Sequence, residues 1–106
     1  MNEGGPMPIA VYFHHPDLTL ETFDEVDRRV HEATGGAEPG GLLHHSVYGT
    51  DGDLHTFEIW ASAGAFQAFG QLLMPIITEL GVQSGQPVIM PLHRLTQASA
   101  AAPSTR

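Results

Sequence analysis

The sequence predicts a single α+β domain, a four-stranded antiparallel sheet with both helices on one face. Three observations carry that prediction. The elements read in the order βαββαβ. The second and third strands flank the turn Thr50-Asp51-Gly52-Asp53 and must form a hairpin. The first and last strands carry apolar side chains on both parities, so both faces of the sheet need cover.

The first strand is Ile9 to His14, with Ile9, Val11 and Phe13 on one side and Ala10, Tyr12 and His14 on the other, and Pro16 ends it. A helix follows from Leu20 to Ala33. Thr19 is its N-cap, Glu21, Asp24 and Glu25 lie near its start, and Arg28 and Arg29 lie towards its end. Phe23, Val26 and Val30 form its apolar stripe, and Gly35-Gly36 stop it. Leu42 to Tyr48 and Leu54 to Trp60 are the hairpin strands. The second helix begins near Ser62 and presents Phe66, Phe69, Leu73, Ile76 and Leu80. Pro75 lacks an N–H, so a kink or a restart is expected there before Gly81 closes the helix. The last strand is read as Val88 to Leu95, and Pro91 within it demands an edge position or a bulge.

A chain of 106 residues suits one domain. The folded part is expected over 8–96, between unstructured tails at 1–7 and 97–106, which are polar or Gly-rich and lack an apolar period. The chain has no cysteine, which excludes disulfides and thiolate chemistry. The formal charge of -8, from 12 acids and 4 bases, repels phosphate backbones and acidic membrane surfaces, so neither nucleic acid nor membrane is an expected partner. With no signal-peptide pattern and no spanning apolar run, the cytoplasm is the expected location. The simplest cover for the second sheet face is the same face of another copy, so a homodimer is expected.

The stretch Gly40-Gly41-Leu42-Leu43-His44-His45, the turn Asp51-Gly52, and Phe57-Glu58-Ile59-Trp60-Ala61-Ser62 followed by Ala65-Phe66 and Phe69 resemble a known pattern. The likeness is to the ferredoxin-like, dimeric α/β-barrel proteins related to the antibiotic biosynthesis monooxygenases. His15-Pro16 and Phe23-Asp24-Glu25-Val26 are similar to small actinobacterial members. The resemblance spans about Pro8 to Leu95. It implies the dimeric barrel fold, and its members include oxygenases, haem-degrading enzymes, polyketide cyclases and isomerases, so it names no single reaction. Where that group has acids after the capping Ser, this chain has Ala63 and Gly64, which leaves the capping box incomplete and the helix start weak.

With Asp51-Gly52 at the centre of a tight turn, His45 falls opposite or near Glu58, on a face shared with Trp60 and Leu43; a one-residue slip in register would move Glu58 away. Imidazole beside carboxylate is an acid/base arrangement, and His45 and Glu58 are the candidate catalytic pair. Trp60, Tyr12, His15, Phe66, Phe69 and His93 are the candidate substrate-binding side chains, for a small apolar or aromatic molecule. His45, Glu58 and Trp60 also read as a buried His satisfied by Glu58 with Trp60 in the core. The doublets His14-His15 and His44-His45 cannot chelate one ion, because strand neighbours point to opposite faces. A metal site would have to assemble across strands, from His14 or His15 with His45 or His93. No metal and no cofactor are expected. The leading function is cofactor-independent oxygenation of a quinol or polyphenol; the alternatives are a His-promoted polyketide cyclase or isomerase, and a non-catalytic ligand-binding or assembly domain.

Overall fold

The computed structural model describes residues 7–97. The tails expected at 1–7 and 97–106 fall, but for Met7 and Gln97, outside the described residues. The elements are β1 (Ile9–Pro16), α1 (Leu20–Ala33), β2 (Leu42–Thr50), β3 (Asp53–Trp60), α2 (Ala63–Glu79) and β4 (Val88–Pro91). They form one antiparallel sheet in the order β2-β3-β1-β4, the ferredoxin-like arrangement.

The helix ends are set by local chemistry. Thr19 Oγ1 accepts from the Thr22 N–H at 3.1 Å to cap α1, and the hairpin turn reinforces this end, since the Leu20 N–H donates to Asp51 Oδ1 at 2.8 Å. The turn and the helix start therefore dock on each other. At the far end, Gly36 N–H donates to His31 O at 2.7 Å and Gly35 N–H to Glu32 O at 3.3 Å, with φ positive at both glycines. This closes the last turn in the Schellman manner. Ser62 Oγ caps α2 through the Ala65 N–H at 3.1 Å, with no acid in the first turn.

Two expectations need correction. Of the kink or restart expected at Pro75, the restart does not occur: helix α2 runs on through it. Proline removes one ladder bond, but the face of Phe69, Leu73, Ile76, Ile77 and Leu80 stays packed against Val26 and Val30 of α1 on both sides of it. Strand β4 ends at Pro91, well short of Leu95. Pro91 has no N–H for the ladder, and the next residue, Leu92, donates instead to Pro8 O at 3.0 Å. The edge position expected from Pro91 is where β4 lies.

The helix-facing side of the sheet buries Val11, Leu54, Thr56 and Trp60, while Val26, Val30 and Ile77 join the two helices. Arg29 strengthens that helix pair by bridging Glu25 of α1 at 2.9 Å and Glu79 of α2 at 2.8 Å. The opposite side carries Ala10, Tyr12 and His14 of β1 and Asp53, His55, Phe57 and Ile59 of β3. Register adds Val88 and Met90 of β4 to that side, and both are exposed.

Where β2 begins, Gly41 adopts φ 85° and its carbonyl accepts from Ala61 N–H at 2.8 Å. A Cβ at this position would sit 2.5 Å from the Ala65 Cβ of α2. Backbone conformation and close approach both require glycine here. Gly41→Ala is expected to destabilise the fold by about 1–3 kcal/mol, read as a lower urea midpoint. Gly40→Ala, at a site with open space around it, is the control and should change stability by less than about 0.5 kcal/mol.

Candidate functional site

Between the sheet and the two helices lies a cavity of about 500 Å³. Its walls are aromatic and aliphatic: Phe13 from β1, Phe23 from α1, Trp60 from β3, and Phe66 and Phe69 from α2. Into this apolar space the sheet projects His15, His45, Thr56 and Glu58. Few polar groups on an apolar wall are the usual make-up of a small-molecule site.

Register explains the polar group. His45 pairs with Glu58 across β2 and β3, as the turn at Asp51-Gly52 predicts, and Trp60 follows Glu58 by two residues on the same face. The Trp60 Nε1–H donates to Glu58 Oε1 at 2.8 Å. The other carboxylate oxygen, Oε2, stands 3.5 Å from His45 Nε2, an ion-pair distance rather than a tight hydrogen bond. Glu58 is 7% exposed and Trp60 1% exposed, so the indole supplies a donor to a carboxylate that water scarcely reaches. The His45 side chain is 33% exposed and sits nearly parallel to the ring of Phe23. Trp60 in turn packs against Phe69 and Phe66, with centroids 5.2 and 6.0 Å away.

One expected neighbour is displaced. A bulge between Leu42 and His44 sets Leu42, not Leu43, opposite Trp60. Leu42 lines the cavity, and Leu43 is 49% exposed.

His15 is the second imidazole of the cavity. It is buried, and both ring nitrogens are engaged, Nδ1 with Ser84 Oγ and Nε2 with Thr56 Oγ1, each at 3.0 Å. Ser84 comes from the connection between α2 and β4, which is drawn over the end of β1 by the Gly85 N–H donating to His14 O at 3.1 Å. Burial pushes the His15 pKa below its ordinary value; the nearby Glu58 charge opposes this, and His14, His55 and His45 add to it. Hydroxyls satisfy this ring without requiring it to be charged.

Of the side chains expected to bind substrate, Trp60, His15, Phe66 and Phe69 line the cavity together with His45 and Glu58. Tyr12 and His93 do not. Tyr12 lies on the other face of the sheet, with its hydroxyl 2.6 Å from His55 Nδ1, because its parity on β1 is opposite to that of Phe13 and His15. His93 lies beyond the shortened β4 and is exposed. Sequence reasoning passed over Thr56 and Ser84. Thr56 had a legible signal, two residues before Glu58 on the same face; Ser84 had none, being a loop residue brought in by the fold.

No family model matches the sequence, and no curated protein matches it. Solved structures do resemble it. SnoaB, a cofactor-independent oxygenase from Streptomyces nogalater, superposes with a TM-score of 0.57 at 18% identity, over 90% of this chain and 100% of that one. MupZ from Pseudomonas fluorescens gives a TM-score of 0.59 at 12% identity, over 84% of this chain and 71% of that one. A candidate antibiotic biosynthesis monooxygenase from Caulobacter crescentus CB15 gives 0.58 at 20% identity, over 86% and 92%. The shared property is the fold. At these identities the likeness shows the ferredoxin-like α+β fold alone, and the chemistry has to come from the cavity. Among the described residues, no helix is long and apolar enough to cross a membrane.

The His15 shift has a consequence for stability. Its folded pKa lies below the unfolded value near 6.5, so its contribution is fully present above about pH 6.5 and is lost as pH falls towards the folded pKa. Exposed His31 shifts upward, chiefly through its hydrogen bond to the Asp27 carbonyl, so its contribution is present at low pH and fades as pH rises. Chemical unfolding measured between about pH 5 and pH 7, compared between the unsubstituted chain and His15→Gln, separates the first effect from the second. His15→Gln is expected to flatten the loss of stability on acidification relative to the unsubstituted chain; an unchanged slope would contradict the assignment.

Proposed function

We propose that the cavity binds a flat, electron-rich aromatic molecule and that the chain is a cofactor-independent monooxygenase of quinols or polyphenols. The observation that carries this reading is the His45–Glu58 pair at 3.5 Å on an aromatic wall, with the carboxylate held by Trp60. SnoaB, whose fold this chain shares, is a cofactor-independent oxygenase, and that likeness supports the choice of oxygen chemistry.

When the His45 Nε2–H points to Glu58, Nδ1 keeps its lone pair and is the basic atom. It takes the proton of a phenolic hydroxyl. The electron-rich anion that forms delivers electrons to molecular oxygen and bonds to it at a ring carbon, giving a peroxide. The proton returns from His45 to the outer peroxide oxygen. The ring carbon then loses its own C–H proton to His45, that electron pair forms the carbonyl as the O–O bond breaks, and the departing hydroxide takes the proton back and leaves as water. One oxygen atom stays on the ring as the carbonyl, and the ring supplies the electrons as it becomes a quinone. Glu58 stabilises the imidazolium during the transfer. The aromatic walls keep water from the anion. His15, with both nitrogens held by Ser84 and Thr56, contributes the plane of its ring to the cavity wall.

Oxygen uptake with a panel of quinols tests this reading. Uptake above the uncatalysed rate is expected, with an atom from isotopically labelled oxygen in the product. His45→Ala should lower turnover by about 100-fold or more, the usual share of a general base. A cyclised or isomerised product without the label would place the same base in a cyclase or isomerase. Loss of ligand affinity without any turnover would leave a binding domain.

Self-association belongs to this reading. The sheet side away from the helices carries exposed Tyr48, Val88 and Met90 beside half-buried Phe57, an apolar surface suited to the same face of a second copy. Sedimentation velocity is expected to show a dimer that Met90→Lys weakens; a stable monomer at micromolar concentration would overturn it.

A further inference from the structure

The sheet side away from the cavity holds a second group of chemically capable residues at the hairpin end. His14 of β1 and His55 of β3 are direct cross-strand partners, and Asp53 precedes His55 by two residues on the same face. His14 Nε2 lies 2.6 Å from Asp53 Oδ1. The His14 and His55 rings stack with centroids 4.6 Å apart and planes 14° off parallel. One ligating atom from each of the three residues lies within 4.8 Å of the others.

We propose that His14, Asp53 and His55 form a binding site for a divalent transition-metal ion, with zinc the ion they fit best. Two imidazoles and one carboxylate are the donor types that zinc accepts with three protein ligands and an open fourth position. Calcium and magnesium are disfavoured, since they require six or more oxygen ligands. In a tetrahedral zinc site the ligand atoms stand roughly 3.3 Å apart. The spacings here, from 2.6 Å to at most 4.8 Å, bracket that value, so small side-chain rotations bring all three donors onto one ion. The ligands stand on β1 and β3, the two interior strands of the sheet, which fixes their backbones relative to one another. In the single chain the open position is accessible, the His14 and Asp53 side chains being 43% and 56% exposed.

The surroundings of His55 add a second argument. Its Nδ1 lies 2.6 Å from the Tyr12 hydroxyl, and Tyr48 stacks on its ring with centroids 5.5 Å apart. With Nδ1–H donated to the Tyr12 oxygen, Nε2 is left as the ligand atom. A metal-ligating histidine is usually oriented in this way by a partner on its other nitrogen. An exposed His14–Asp53 ion pair alone has no use for a histidine held between two tyrosines.

All three ligands come from one chain, so one ion per chain is expected whether or not two sheets face each other. The full chain, freed of metal with a chelator and dialysed, is titrated with Co(II), whose tetrahedral complexes absorb strongly in the visible. Zn(II) then competes for the same site. The expected result is saturation at one ion per chain and displacement of Co(II) by Zn(II). His14→Ala, exposed enough to leave the fold intact, should abolish saturable binding. His55→Gln should do the same, with far-UV circular dichroism confirming the fold of both variants. Tyr12→Phe keeps the three ligands and should weaken binding by about tenfold or more. His44→Ala and His31→Ala should leave it unchanged. Absence of saturable binding, or binding of equal strength in the folded His14→Ala chain, would overturn the proposal.

Discussion

A carboxylate placed where water scarcely reaches must find donors, and Glu58 organises the site around that need. Its two oxygens look in different directions, one to the Trp60 indole at 2.8 Å and one towards His45 at 3.5 Å. Replacing either partner would leave one oxygen of a buried carboxylate without its donor, at a cost of about 1–3 kcal/mol. The pairing therefore constrains the hairpin register. A slip by one residue would turn Glu58 to the outer face and carry Thr56 and Trp60 out of the core with it. The geometry that suits a proton transfer is the same geometry that satisfies the buried charge.

The alternation of a β-strand then divides the chemistry between two faces. On β1, Phe13 and His15 go to the cavity while Tyr12 and His14 go to the opposite side. On β3, Thr56, Glu58 and Trp60 go to the cavity while Asp53 and His55 go to the opposite side. The adjacent histidines at 14 and 15 illustrate the division. One is buried, its nitrogens engaged by hydroxyls, with its pKa lowered by desolvation. The other is partly exposed and paired with a carboxylate. Helices α1 and α2 cover the first face with aromatic and aliphatic side chains, which leaves Glu58 and His15 buried and His45 one-third exposed.

Much of this was legible in the sequence where local rules are strong. The turn at Asp51-Gly52 set the register, and register set His45 against Glu58. The caps at Thr19 and Ser62 and the glycine stops at Gly35 and Gly81 placed the helix ends. Tyr12 was misplaced because β1 is apolar on both parities, so alternation alone cannot say which side receives the helices. The pairing of Val11 with Glu58 resolves it. Leu43 was misplaced because a bulge leaves no reliable mark in a short apolar run. The His14, Asp53 and His55 group was missed because its members are remote in sequence, and only the pairing of β1 with β3 brings them together.

The proposed function requires a flat aromatic molecule to occupy the cavity beside the Glu58-held imidazole. Histidine side-chain nitrogen resonances, followed by NMR during titration with 2-naphthol under argon, test it most directly, because binding is then separated from any reaction with oxygen. Saturable shifts of His45 and His15 are expected, with His44 and His93 unmoved. Shifts confined to histidines outside the cavity, or no saturable shift of His45, would contradict it.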